Sequence, residues 1–204
     1  TLLAEKSYNT DITARAHFWY GECLYRQKKY DEAKEQFDLY LKKTISMEQD
    51  EYRFAQYNTA YIFWNKKEYQ NAAYWFRKYE KIEKVNPVMR LDALNRIGDC
   101  YFLQRDFTQA LKSYNQSVEI GGTYKGVDYA LYQKAFVLGL QKSYNEKIDV
   151  LKDLQTRFPK SDWNDDALFE IGKAYIALNK NDEAIASFED ISTKFPTSNP
   201  VVRK

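Results

Sequence analysis

Cysteine, histidine, glycine and proline are all scarce in this chain of 204 residues: two Cys, one His, seven Gly and four Pro. Two cysteines cannot build a disulfide framework, and a chain of this length can bury enough apolar surface to fold without one. One histidine leaves little material for a metal cluster or an acid–base pair. Few Gly and Pro exclude a turn-rich β-sandwich. A mean hydropathy of -0.71 and the lack of any apolar run of about 18 residues exclude a membrane-spanning helix from the sequence. Charge of one sign is also lacking: 31 Lys and Arg against 29 Asp and Glu give a net charge of +2, so nucleic acid is not an expected partner. Nothing at the N-terminus resembles a signal peptide, although the chain begins at Thr1 without Met. Aromatics are the abundant class. Eighteen Tyr, twelve Phe and four Trp make up 17% of the residues, which argues against disorder and, with so few breakers, predicts long helices.

One period organises the sequence. An alanine opens each of five blocks, at Ala16, Ala55, Ala93, Ala130 and Ala167, with separations of 39, 38, 37 and 37 residues. Five residues after each stands a small residue (Gly21, Ala60, Gly98, Ala135, Gly172), and eight after stands a large apolar one (Leu24, Phe63, Tyr101, Leu138, Tyr175). These offsets share one helical face. A second helix follows in each block: an aromatic at offset 14 in four blocks (Tyr30, Tyr69, Phe107, Tyr144), a small residue at offset 17 in four blocks (Ala33, Ala72, Ala110, Ala184), and a large one at offset 21 (Phe37, Phe76, Tyr114, Leu151, Phe188). Short polar turns such as Arg26-Gln27-Lys28-Lys29 and Asn179-Lys180 join the helices, and Asp31-Glu32 or Asp182-Glu183 places acids where the next helix dipole favours them.

Between blocks lie the strongest breakers: Asn86-Pro87, Phe158-Pro159-Lys160-Ser161-Asp162 and Phe195-Pro196-Thr197-Ser198-Asn199. The third block ends instead in Gly121-Gly122-Thr123-Tyr124-Lys125-Gly126, the joint expected to bend most. Block limits fall near residues 14–51, 53–90, 91–127, 128–164 and 165–199. Residues 1–11 read as the tail of a preceding second helix with its linker, and Pro200-Val201-Val202 as the start of a sixth block. Further repeats are therefore expected in the intact protein, at least on the N-terminal side. A start codon immediately before Thr1 would contradict that.

Gly98-Asp99-Cys100-Tyr101, Gly172-Lys173-Ala174-Tyr175, the run from Tyr30-Asp31-Glu32-Ala33 to Phe37, Ala184 with Phe188, and the closing Pro159 and Pro196 resemble the tetratricopeptide repeat. That resemblance implies an all-α fold, a right-handed α-α superhelix of about five helix-turn-helix repeats, with a concave groove lined by the first helix of each pair. A period of 37 to 39, longer than the usual 34, together with Phe-Pro-x-Ser joints is most similar to the repeats of bacterial cell-envelope proteins of the outer-membrane assembly and Tol-Pal accessory type. The resemblance thus favours a bacterial periplasmic setting over the cytoplasm. Two departures stand out. Lys134 and Lys147 occupy packing columns of the fourth block, which makes its register the least secure. Phe18 and Glu22 replace the Lys and Asn with which some co-chaperone members hold a C-terminal carboxylate, so chaperone tails are not expected ligands.

Catalytic chemistry is not legible. His17 lacks a nucleophile or carboxylate partner at helical spacing and reads as structural. Cys23 and Cys100 share a column two repeats apart, too far for a disulfide, and read as small core residues. Asp162, Asp165 and Asp166 lack calcium-loop spacing and read as helix-capping residues. The Asn115-Gln116-Ser117 sequon falls within a helix and carries no weight. A non-catalytic chain with no cofactor and no metal is expected.

The face of each first helix opposite its packing columns, at offsets -1, 2, 6, 9 and 10, holds eleven aromatics in 25 positions: Phe18, Tyr25, Phe54, Tyr57, Tyr61, Trp64, Phe102, Tyr129, Tyr132, Phe136 and Phe169. About four would be expected from the 17% content. Rings there could anchor an apolar or aromatic peptide, or could pack along the inner wall of a curved stack. Block two is densest, with Phe54, Tyr57, Tyr61 and Trp64. Asp92, Asn95 and Asp99 could receive a basic group or form a solvated polar face, and Arg15 and Arg26 could favour an acidic one. The expected activity is that of a scaffold binding protein or peptide segments in this groove. The alternatives are a glycan or small-molecule module and a structural spacer.

Overall fold

The computed structural model describes residues 2–43 and 50–195, which form ten α-helices with no strand among them. They are α1 (Leu2–Arg26), α2 (Tyr30–Lys43), α3 (Asp50–Asn65), α4 (Tyr69–Glu80), α5 (Pro87–Leu103), α6 (Phe107–Gly121), α7 (Val127–Leu140), α8 (Tyr144–Arg157), α9 (Asn164–Ala177) and α10 (Asn181–Lys194). The fold is all-α. The chain divides into two compact units, 1–104 with α1–α5 and 105–204 with α6–α10. In the first unit α1 packs on α2, α2 on α3, α3 on α4 and α4 on α5. In the second, α6 packs on α7, α7 on α8, α8 on α9 and α9 on α10.

Helix starts follow from sequence. The Asn86 side chain accepts from the N–H groups of Val88 and Met89 with Pro87 as first helical residue of α5, and Asp106 accepts from Gln109 N–H at the start of α6. These are donors that a helix cannot satisfy internally. Asp31 and Glu32 open α2 and Lys42 and Lys43 close it, each charge at the favourable end of the dipole.

The turns inside the helix pairs are three residues long, 27–29, 66–68, 104–106, 141–143 and 178–180. Each turns through a left-handed residue at the same offset of 12: Lys28 (φ 61), Lys67 (φ 61), Arg105 (φ 61), Lys142 (φ 62) and Asn179 (φ 58). Bonds of the Lys29 N–H to Leu24 O and Glu68 N–H to Phe63 O close the outgoing helices as a glycine C-cap would. The side chains are basic in four of the five, so a steric cost is accepted where glycine would be free of it.

The repeat columns pack as their sizes require. Gly21 faces Phe37, where an added Cβ would come within 2.9 Å of the ring, and Gly172 faces Phe188 at 2.6 Å. The opening alanines Ala55, Ala93, Ala130 and Ala167 are fully buried. The residues at offset 7 (Ile62, Cys100, Val137, Ala174) are also buried; Ala55 and Ile62 share a core cluster with Ala33, Phe37 and Tyr40 of α2, and Ala93 and Cys100 one with Ala72, Phe76 and Tyr79 of α4.

Three expectations need correction. No linker interrupts residues 1–11, because α1 runs unbroken from Leu2 to Arg26 through a stretch with neither Pro nor Gly before Gly21. Cys23 is exposed, not core. It shares its column with exposed Ala16, and α1 has no packed helix on that side among the described residues. The glycine-rich joint 121–126 lies inside the second unit, and its Gly122 (φ 53) and Gly126 (φ 102) adopt positive φ. The fourth block keeps its register despite Lys147. That lysine is buried and ion-paired with Glu170, and Gly139 makes room for it, since a Cβ there would lie 3.1 Å from the Lys147 Nζ. The closing Pro196 and the start of a sixth block fall outside the described residues.

Candidate functional site

The presumed inner face separates into seams and remnants. Rings at offset 2 turn towards the second helix of their own pair. Phe18 is 3% exposed and packs on Phe37 and Tyr40, with centroids 6.0 and 5.5 Å apart. Tyr57 packs on Phe76 and Tyr79, and Phe169 on Phe188 at 5.9 Å. Rings at offset 9 do the same lower down: Tyr25 meets Tyr30 at 5.9 Å and Trp64 meets Tyr69 at 5.5 Å. Tyr61 packs on Tyr57 and on Phe76, both at 5.0 Å, and Phe102 is half-buried. Of the eleven rings only Phe54, 41% exposed, and Phe136, 38% exposed, keep more than a third of their surface. Phe18 in particular belongs to the core.

The acidic face of α5 is occupied from within. Asp92 accepts the Tyr57 hydroxyl at 2.6 Å and the Tyr61 hydroxyl as well. The Arg96 guanidinium lies 2.6 Å from Asp99 and 3.6 Å from Asp92, with its plane over the Trp64 ring at 5.5 Å. Asn95 and Asp99 are buried. Burial, with the Asp92 charge beside them, holds the Tyr57 and Tyr61 hydroxyls well above the usual phenol range, so both remain donors. Burial also pushes Tyr79 up to about 12, and burial with Asp99 alongside takes the Cys100 thiol to about 12. Asp92 and Asp99 therefore serve the packing of α3 against α5 and do not present a vacant receptor for a basic group. Arg15 and Arg26 are likewise paired, with Glu51 at 3.0 Å and Glu22 at 2.8 Å.

One cleft remains on this side of the first unit, about 530 Å³ in volume. Phe18 and Tyr57 line it beside exposed Trp19 and Phe54 and half-buried Met89. Polar groups also line it: Glu22, which also accepts from Asn58 at 2.7 Å, with Arg26, Asp50 and Glu51. The arrangement is an apolar, aromatic slot edged by internally matched charges. Sequence reading missed Trp19 and Met89 because they lie at offsets 3 and -4, outside the five positions counted; Trp19 directly beside Phe18 was the available signal.

In the second unit Tyr132 stacks on Trp163 at 4.7 Å and 26°, with Tyr129 edge-on at 5.6 Å. Burial and the nearby Asp166, Glu170 and Asp165 raise the Tyr132 hydroxyl above its ordinary value. Phe136 edges a smaller cleft of about 280 Å³ that includes Lys147, Glu170 and Lys173. Burial opposes the Glu170 charge, but hydrogen bonds from Lys147 and Lys173 outweigh it and hold the carboxyl below its usual range. The Lys173 ammonium also sits 5.5 Å over Phe169.

No group of three or more His, Cys, Asp or Glu among the described residues could hold a metal ion. Asp165 and Asp166 do not cap α9 as expected: they are buried within its first turn, and the cap position is Trp163 with no side-chain cap bond. His17 bonds Gln36 at 2.8 Å and approaches Lys43 at 3.3 Å, which is a packing role. No helix among the described residues is long and apolar enough to cross a membrane.

A chain of helix pairs with small-against-large columns and an aromatic inner seam is a helical repeat protein. Tetratricopeptide repeat profiles match residues 4–48, 91–120, 129–161 and 166–198, and the chain belongs to the tetratricopeptide repeat family. No curated protein sequence is significantly similar to it. Among solved structures it is similar in fold to a MamA protein (15% identity, 92% of this chain and 97% of that chain covered, TM-score 0.71). It is also similar to the apo form of RapI (15%, 89% and 71%, TM-score 0.71). A third is YrrB, described as a tetratricopeptide repeat protein with an unusual peptide-binding site (16%, 89% and 86%, TM-score 0.67). At such identities the likeness establishes the fold alone.

Proposed function

We propose that this chain is a non-catalytic scaffold that binds a protein or peptide segment, and that in the first unit the contact is the cleft of Trp19, Phe54, Tyr57 and Met89. The observation that carries the reading is the exposure of Phe54 and of Trp19, 41% and 53%, in a slot whose neighbouring charges already satisfy one another. Apolar anchors entering it would gain burial without stranding a charge. A peptide-binding site in a protein of similar fold supports the reading. In the second unit Phe136 is the corresponding exposed ring, and Tyr129, Tyr132 and Phe169 shape its surroundings. The long period and the Phe-Pro-Lys-Ser joint support a place among cell-envelope repeat proteins of bacteria.

Selection from a displayed library of random dodecapeptides tests this. Selected peptides should carry aromatic or aliphatic anchors. They should lose at least about tenfold in affinity on Phe54→Ala or Trp19→Ala, with the melting temperature little changed because both rings are exposed. Labelled oligosaccharides that bind through the same two rings while no peptide does would establish the glycan reading. Absence of any ligand, with both variants folded, would leave a spacer.

A further inference from the structure

A second pocket, on the first unit and separate from the aromatic cleft, departs from a pattern that the last three repeats keep. The residue just after the opening alanine is Leu94, Leu131 and Leu168 in the last three blocks, buried to 2%, 2% and 6% exposure. In the second block the same column holds Gln56, equally buried at 4%. Among the described residues its carboxamide oxygen has no hydrogen-bond partner, nor has the neighbouring Arg53 Nε, although another nitrogen of that guanidinium holds Asp50 at 2.7 Å. A buried polar atom without a partner destabilises the fold, whereas leucine at this position would not. Both groups line one pocket of about 430 Å³ where α3 meets the C-terminal end of α4, with Lys78, Lys81 and Lys84 around it against the single Glu83.

We propose that this pocket binds an acidic peptide segment. Gln56 carries an unpaired acceptor and Arg53 an unpaired donor among the residues of this pocket, and a peptide backbone, with its N–H and C=O, offers a partner to each. An ionised carboxylate or phosphate has only acceptors and would leave Gln56 unsatisfied. The excess of cations at the rim selects acidic side chains flanking that backbone and accelerates their encounter. Tyr52 and Ile82 give the segment apolar wall to lie against.

The test uses the whole chain and a fluorescein-labelled octaglutamate peptide, with octaserine and octalysine as controls. Octaglutamate should bind saturably and the controls should not, and binding should weaken as salt rises. Gln56→Leu installs the residue that the last three repeats use. It should weaken binding at least about tenfold while the melting temperature holds or rises, which separates recognition from folding. The Lys81→Glu and Lys84→Glu pair should weaken binding and flatten its salt dependence, and Phe54→Ala should bind octaglutamate as the parent does. Equal binding by Gln56→Leu and the parent would reduce the pocket to a diffuse basic surface and overturn the proposal. So would displacement of the peptide by inorganic phosphate at matched concentration, or the absence of saturable binding at low salt. Because Phe54 and Gln56 report on different pockets, failure here is distinguishable from failure of the aromatic cleft.

Discussion

Gly172→Ala sets two opposed effects against each other at one atom. In the middle of a helix alanine is favoured over glycine by about 1 kcal/mol, so α9 should gain. The new methyl, however, would lie 2.6 Å from two carbons of the Phe188 ring, and overpacking of this kind costs about 1–3 kcal/mol. The net expectation is a loss of roughly 0–2 kcal/mol, the difference between those two figures. The fourth block already shows the compatible combination, Ala135 with Leu151 at the equivalent positions, so Phe188→Leu should relieve the clash. In that background Gly172→Ala should be stabilising, by roughly the helix-propensity difference of about 1 kcal/mol. Urea unfolding of the parent, the two single variants and the double variant, followed by circular dichroism, gives the coupling energy. A value of about 1 kcal/mol or more is expected. Additivity within about 0.5 kcal/mol would refute the claim that the Phe188 ring is what requires glycine at position 172. Repeat proteins need not unfold in one step, so hydrogen exchange of α9 amides should accompany the denaturation curves.

Two further outcomes follow from the packing. Glu170→Ala leaves Lys147 buried without its counter-charge and should cost about 3–5 kcal/mol. Because the Glu170 carboxyl is held below its ordinary value, its contribution to stability is complete above the usual carboxylate pKa and is lost as pH falls through the depressed value. The parent should therefore lose stability on acidification in a window where Glu170→Gln shows less change, as read by urea midpoints at stepped pH. Replacing Lys67, left-handed at φ 61, by glycine should raise stability by up to about 1 kcal/mol, whereas Lys67→Val should lower it; thermal melts of the two variants check the sign.

Much of the fold was legible because it depends on spacing. Ala55, Ala93, Ala130 and Ala167 recur at the interval of the helix pairs, and all are fully buried. The inner face was less legible. Counting positions on α1, α3, α7 and α9 identifies which residues look away from the preceding pair, but not how much of that face the partner helix covers. Phe18, Tyr57 and Phe169 at offset 2, and Tyr25 and Trp64 at offset 9, are claimed by aromatics of their own second helices, so the excess of rings largely thickens the seam inside each pair. Asp92 was hidden for a related reason: its partners Tyr57 and Tyr61 are 35 and 31 residues away, and no local pattern announces them. Gln56 was in principle visible as a polar member, with His17, of a column that holds three leucines. It passed unnoticed because that column was not among those compared.

The constancy of the three-residue turns has a consequence for how such a chain can change length. The second helix begins 14 residues after the opening alanine in every block, so all variation of the period between 37 and 39 arises later. An extra residue in 66–68 or 141–143 would displace the left-handed position and rotate one helix of a pair against the other, putting glycine-facing rings out of register. An extra residue in 81–86, 122–126 or 158–163 alters only the distance to the next pair. Insertions and deletions should thus be accepted between pairs and rejected within them, and any tag, label or protease site meant to leave the repeats intact belongs in those inter-pair segments.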